Sequence, residues 1–208
     1  DRGDSYTAIL DTQTMDPLYL QLGHDFMHEF SSDGTRLLAV HGYIPCVFKF
    51  EADKVAFWRL PGRSGLSRRQ GFPVWSPNGQ WMLGGNSFWK SQEKDWAKSR
   101  WTLPIDTIVS WSPDSKRFLA YAGGSGIEHE LWSPHDRKPL AAFEQNHGLF
   151  AASWSPDGSQ FAMGSGGEVV VLNGTSGQIL RRWKAAVDPN EPGQVPYIAW
   201  SRRGNTWP

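Results

Sequence analysis

Cysteine, net charge and long apolar runs are all scarce in this sequence. Cys46 is the one cysteine among 208 residues, so no disulfide can form within the chain. Lysine plus arginine and aspartate plus glutamate number 21 each, so no overall field attracts nucleic acid or an anionic membrane. No apolar run approaches the roughly 20 residues of a membrane-spanning helix. We therefore expect neither a disulfide scaffold, nor a nucleic-acid binder, nor insertion into a membrane.

The single cysteine is expected to be structural. Cys46 is followed by Val47 and Phe48, which predicts a thiol packed in a strand, where cysteine behaves as a small apolar residue. A lone thiol is compatible with a reducing compartment without requiring one. The sequence thus leaves the compartment open, with the cytoplasm favoured over the periplasm.

Turn-forming and aromatic residues are plentiful by contrast. The chain has 22 glycines, 14 prolines and 12 tryptophans. Many short strands separated by glycine and proline turns are typical of a β-sandwich, barrel or propeller. We therefore expect an all-β protein.

One short pattern recurs five times: an aromatic residue, a serine, a tight turn and then an apolar strand. The aromatic residues are Phe30, Trp75, Trp111, Trp154 and Trp200, at spacings of 45, 36, 43 and 46 residues. A period of roughly 40–45 residues is that of a four-stranded propeller blade. The repeat therefore predicts a propeller of antiparallel blades.

The turn itself is well marked in residues 154–158, WSPDG. Proline presets φ for the second position of a type I turn, and serine and glycine suit its two ends. A buried second strand should follow each turn. These predicted strands are Arg36–Val40, Gln80–Leu83, Arg117–Tyr121 and Gln160–Met163.

The second repeat departs from this pattern. Residues 90–96, KSQEKDW, stand where an apolar third strand is expected. We predict a distorted, exposed and charged hairpin there.

The repeats divide the chain into blades. We predict one propeller domain over residues 1–208, with 1–29 as the end of a preceding blade, 30–194 as four blades and 195–208 as the start of a further blade. The half-blades permit closure of a five-bladed ring, which would remove exposed sheet edges. A segment of a larger ring is the alternative, and we favour it because both ends are abrupt.

The WSPDG turns, followed one strand later by pairs such as Trp132-Ser133 and Leu172-Asn173, resemble those of bacterial WD-repeat proteins and of TolB-like propellers. The resemblance covers nearly the whole chain and implies the propeller fold. The sequence departs from the WD-repeat pattern, since the opening Gly-His occurs only at Gly23-His24. One propeller fold hosts many activities, so the resemblance does not imply a particular one.

Two groups of titratable residues have the composition of a site. His24 and His28 have the spacing of a helical zinc pair, but in extended chain such residues lie about 13 Å apart. Glu128 and Glu130 should share one face of a strand with His129 on the other. Nothing else converges on either group, so we predict no catalytic residue, metal or cofactor.

We predict a non-catalytic scaffold that binds a protein or peptide, and no nucleic acid. The connections after the second strands and before the first strands should share one face of the propeller. Aromatic anchors among polar groups there suit peptide recognition. The candidate partner-binding residues are Tyr43, Phe88, Ser125, His147 and Phe150.

Two alternative functions stay open at this point. The chain could be the gating propeller of a larger hydrolase resembling prolyl oligopeptidase, with its other domains on a longer parent chain. It could also be a TolB-like envelope protein.

Overall fold

The computed structural model describes most of the chain, in thirteen segments. These are residues 6–11, 13–22, 26–41, 44–51, 54–61, 73–84, 86–92, 96–103, 107–123, 127–144, 151–165, 167–184 and 198–201. The chain divides into two compact units, Asp1–Leu103 and Pro104–Pro208. None of the helices in these segments is long and apolar enough to cross a membrane.

The first unit contains a strand pair and two four-stranded sheets. The pair is β1 (Tyr6–Leu10) with β2 (Pro17–Leu22). The first sheet is β3 (Phe26–Phe30), β4 (Arg36–His41), β5 (Ile44–Glu51) and β6 (Lys54–Arg59). The second is β7 (Val74–Trp75), β8 (Trp81–Gly84), β9 (Ser87–Lys90) and β10 (Trp101–Thr102), with one helical turn, α1 (Trp96–Ser99), before β10.

The second unit contains two more four-stranded sheets. One is β11 (Thr107–Trp111), β12 (Phe118–Gly123), β13 (Ile127–Ser133) and β14 (Lys138–Glu144). The other is β15 (Ala151–Trp154), β16 (Gln160–Ser165), β17 (Glu168–Asn173) and β18 (Ile179–Lys184). In all four sheets each strand pairs antiparallel with the next one along the chain. This is the strand order predicted for propeller blades.

The four predicted second strands are present as β4, β8, β12 and β16. The third strand of the second sheet comes earlier than expected, as β9, so residues 90–96 do not stand in its place. They lie in the connection between β9 and β10, which pair antiparallel, and residues 93–95 of it are outside the described residues, so the predicted hairpin stays a prediction. Phe88 and Trp89 of β9 are fully buried. After Lys90 the chain makes a turn at residues 91–92 and later the helical turn α1. The prediction fell on the charged segment because the real strand is only four residues long and ends where that segment begins.

A side-chain hydrogen-bond network closes each turn between the first two strands of a sheet. The Ser155 hydroxyl donates to Asp157 Oδ1 at 2.6 Å and accepts from the Gln160 N–H at 3.0 Å. Asp157 Oδ1 also accepts from the Ser159 N–H at 3.0 Å. Gly158 adopts a φ of 68°, a left-handed conformation that glycine reaches without steric cost. We call this unit the Ser-Asp turn.

The same network recurs in the other three sheets. Serine donates to aspartate at 2.6 Å in two of them, and to asparagine at 2.8 Å in the third. The pairs are Ser31 with Asp33, Ser112 with Asp114, and Ser76 with Asn78. A neutral amide oxygen therefore satisfies the turn as an acceptor in place of a carboxylate.

Two of the turn tryptophans hydrogen-bond to the preceding repeat. Trp75 Nε1 donates to the Glu29 carbonyl at 3.0 Å, and the Trp75 N–H donates to the Glu29 carboxylate at 2.8 Å. Partial burial raises the pKa of Glu29, and the hydrogen bond from Trp75 opposes that shift. In the second unit Trp200 Nε1 donates to the Ser153 carbonyl at 2.8 Å. In both cases the acceptor lies one residue before the turn aromatic of the preceding repeat.

An arginine six positions after the turn aromatic ties two of the sheets to the next one. Arg36 Nη1 donates to the Ser91 carbonyl at 2.9 Å. Arg117 Nη1 donates to the Gly174 carbonyl and to Thr175 Oγ1. Ser91 and Gly174 lie directly after the third strand of the following sheet, and Thr175 lies one residue further on. Two turn segments thus bond to the preceding repeat, and two others bond to the following sheet.

The Ser-Asp turn should make the stability sensitive to acid. The hydrogen bond from Ser155 lowers the pKa of Asp157 from 3.8 to about 2, and Ser31 does the same for Asp33. Since the folded pKa lies below the unfolded one, this stabilisation is complete above about pH 4 and is lost as the pH falls through about 2. Urea unfolding midpoints measured between pH 7 and about pH 2 should show this loss.

Exchanging the turn carboxylate for an amide in one sheet, and the amide for a carboxylate in another, provides a matched pair of variants that tests the acid dependence. We expect Asp157→Asn to weaken the acid dependence of the unfolding midpoint and to lower that midpoint at pH 7 without unfolding the chain, because an amide keeps the acceptor, as it does at Asn78, but lacks the ionised carboxylate. Asn78→Asp should strengthen the dependence. Identical pH profiles for both variants and the wild type would contradict this account of the turn.

Candidate interaction surface

The two ends of each sheet carry different kinds of connection. Because the strands run antiparallel in chain order, the Ser-Asp turn and the connection after the second strand lie at opposite ends. The Ser-Asp turns share one hydrogen-bond pattern. The connections after the second strands differ in residue type and span two residues in three sheets and three in the other, and those that lead from one four-stranded sheet to the next span between four and fourteen residues. We call the end that carries these connections the variable end of the blades, although the connections between third and fourth strands, which lie at the Ser-Asp end, also differ in length.

Four of the five predicted partner-binding residues lie outside the described residues: Tyr43, Ser125, His147 and Phe150. In the chain, Tyr43 follows β4 and Ser125 follows β12, each between a second and a third strand. His147 and Phe150 fall between β14 and β15, where the chain passes from one sheet to the next. Their role in binding stays a prediction.

Phe88 is a core residue and is not available as an exposed anchor. Its side chain is 0% exposed on β9, and its ring stacks on Trp101 with centroids 4.6 Å apart. β9 begins at Ser87, only three residues after β8 ends at Gly84. The short connection places Phe88 inside the strand, which the sequence pattern did not indicate.

His129 and Glu130, the described side chains of the Glu-His-Glu sequence in β13, have a structural role. His129 is fully buried and stacks on Phe143 with centroids 6.2 Å apart. Burial lowers the pKa of His129 to about 4, so the imidazole is neutral at pH 7. Glu130 accepts a hydrogen bond from Trp132 Nε1 at 2.8 Å. The described side chains of this strand therefore serve packing.

Other candidates from the sequence have equally structural surroundings. Cys46 is fully buried, and its thiol donates to the Ala39 carbonyl at 3.5 Å, which confirms the expected structural thiol. Among the described residues no group of three histidine, cysteine, aspartate or glutamate side chains could hold a metal ion. His24 lies outside the described residues.

The fourth strands are surfaces that the sequence patterns did not reveal. β6 and β18 both expose large apolar side chains: Phe57 and Trp58 on β6, and Ile179, Leu180 and Trp183 on β18. Trp58 packs edge-to-face on Trp96 of α1 with centroids 5.8 Å apart. The signal in the sequence was the mixture of apolar and cationic residues in ILRRWK, residues 179–184.

The loss of stability on replacing Phe88 distinguishes a residue of the core from a residue of the surface. Phe88→Ala should destabilise the protein by about 3–5 kcal/mol, because the removed ring leaves a cavity and a lost stacking partner. Phe30→Ala is the matched control, since that ring is 57% exposed; its cost should be about 1 kcal/mol or less. Chemical unfolding measures both values, and equal losses would contradict the assignment of Phe88 to the core.

Comparison with known proteins gives a match in structure alone. No family model and no curated sequence matches the chain. The fold is similar to the crystal structure of the Cps50 (Swd1) β-propeller domain of Myceliophteria thermophila, with a TM-score of 0.61 and 15% identity. The match covers 88% of this chain and 60% of that one. At this identity the likeness shows the fold alone, which is a β-propeller.

Proposed function

We propose that this protein is a non-catalytic propeller scaffold that binds a protein or peptide at the variable end of its blades. The observation that carries the proposal is the contrast between the Ser-Asp turns and the connections at the opposite end of the sheets. One end repeats the same Ser-Asp turn four times, with its polar groups already hydrogen-bonded to one another. The other end presents a different connection on each blade. Connections that differ from one another, held on sheets of the same rigid architecture, are suited to recognise an irregular partner surface.

The residue types in these connections favour a peptide. Tyr43 and Phe150 provide aromatic groups of the kind that anchor protein interfaces. Ser125 and His147 add groups that can exchange hydrogen bonds with a peptide backbone. Phe88 does not belong to this set, because it is buried.

A displayed library of random peptides tests the proposal by letting the chain select its own ligands. Peptides selected on the wild-type chain should bind the double variant Tyr43→Ala/Phe150→Ala about thirtyfold more weakly, the loss typical of removed aromatic anchors. Phe57→Ala is the control, because that ring is exposed on β6, away from the connections.

Circular dichroism and the unfolding midpoint show whether the double variant keeps its fold. If the selected peptides bound a folded double variant as tightly as the wild type, the assignment of the variable end would be overturned. Loss of binding in Phe57→Ala alone would point to β6 instead.

The alternatives named from the sequence remain predictions. A gating propeller requires an α/β-hydrolase domain in the same reading frame, and a TolB-like envelope protein requires a secretory signal. The chain spans 60% of the propeller chain that it resembles in structure. The flanking coding sequence distinguishes these alternatives directly.

A further inference from the structure

The fourth strand β18 is an open sheet edge. It pairs with β17 along one side, with Trp183 opposite Val169 and Arg182 opposite Val170. No described strand pairs along its other side. All six residues of Ile179–Lys184 are exposed. Such an edge presents backbone N–H and C=O groups to which another extended chain can add.

The fourth strands of the other sheets carry features that hinder strand addition. β14 contains Pro139, which lacks the N–H that a ladder requires. β10 has only two residues. β6 is flanked by Trp96, which packs on Trp58. Among the described fourth strands, β18 alone is six residues long, free of proline and exposed throughout.

Cations occupy both faces of this edge. Arg181 and Trp183 lie on one face of the strand, and Arg182 and Lys184 lie on the other. Arg182 forms an ion pair with Glu168 at 3.1 Å. Arg181 forms no ion pair with a described residue, and Lys184 lies opposite Glu168 in the register without forming one. A strand added here would therefore meet an unpaired arginine on one face, and two cations against one carboxylate on the other.

We propose that the β18 edge binds an extended acidic segment of a protein partner, which adds to the sheet as a fifth strand. Backbone hydrogen bonds would supply the pairing, and carboxylates would compensate Arg181 and Lys184. This site is separate from the variable end of the blades and does not depend on the function proposed there.

The charges on β18 also disfavour two other occupants of this edge, a second copy of the chain and a nucleic acid. If a second copy paired antiparallel with β18 about its centre, cations would face cations, for example Arg182 opposite Arg182 or Arg181 opposite Lys184, and like charges directly opposite destabilise a sheet. Nucleic acid would need a wider positive field, but the chain has no net charge.

The probe is a fluorescein-labelled octapeptide of alternating glutamate and valine, and its binding to the full chain is measured by fluorescence anisotropy at low salt. Arg181→Glu/Lys184→Glu should weaken binding by about tenfold or more, because two attractive charge pairs become repulsive. Arg59→Glu should leave binding unchanged, since it alters an exposed cation on another fourth strand, β6. The matching lysine–valine peptide should not bind.

A second measurement alters the peptide instead of the charges on β18. Methylation of alternate backbone nitrogens in the peptide should abolish binding to the wild-type chain, because it removes the N–H groups that form the ladder. Hydrogen exchange of residues 179–184 should slow when the unmethylated peptide is added. Tyr43→Ala/Phe150→Ala should bind the peptide normally, which separates this site from the variable end.

Several results would overturn the proposal. The first is that the glutamate–valine peptide does not bind the wild-type chain. The second is that the methylated peptide binds the wild-type chain, or the unmethylated peptide binds the charge-reversed variant, as tightly as the unmethylated peptide binds the wild type. The third is that the peptide slows hydrogen exchange only in another segment. Self-association through residues 179–184 would assign the edge to a second copy. Tighter binding of an oligothymidine than of the peptide would assign it to nucleic acid.

Discussion

The hydrogen bond from the turn serine to the carboxylate or amide two residues later organises this fold. It closes the turn between the first and second strands and thereby fixes the residues on either side of it. The tryptophan before the serine reaches back to the preceding sheet, as Trp75 does to Glu29. The arginine after the turn reaches forward, as Arg117 does to Gly174. The turn segments thus set the pairing of the first two strands in all four sheets and supply contacts to a neighbouring repeat in some of them.

This arrangement uses polar groups that would otherwise suggest chemistry. Asp157 is engaged by Ser155 and by two donors on Ser159. Burial keeps His129 neutral within the core of its sheet. Because such groups hold the blades together, we place the two proposed binding sites elsewhere, at the connections that do not repeat and at the edge of β18. That division of labour is common to repeat proteins, in which like units form a frame and unlike loops bind.

Local chemistry determined how much of this structure could be predicted. Turn sequences specify their own hydrogen bonds, so the strands around residues 154–158 were predicted closely. Phe88 was misplaced because nothing in the sequence shows that β9 follows β8 after a connection of two residues. Exposure along a strand was harder still. Val169–Leu172 are buried on both faces of the sheet, while Ile179–Lys184 are exposed on both, although both segments contain apolar residues. The position of a strand in its sheet determines how exposed its side chains are, and the local sequence pattern does not indicate that position.

The open edge of β18 illustrates how one set of charges can act in two ways. An exposed strand with Ile179, Leu180 and Trp183 would ordinarily invite pairing with its own copies. Arg181, Arg182 and Lys184 oppose that pairing, because any central antiparallel register places positive charges together. The same charges attract a strand of opposite sign. The cations thus hinder self-pairing without a proline in the strand, and the backbone groups of β18 are left for the acidic segment that we propose.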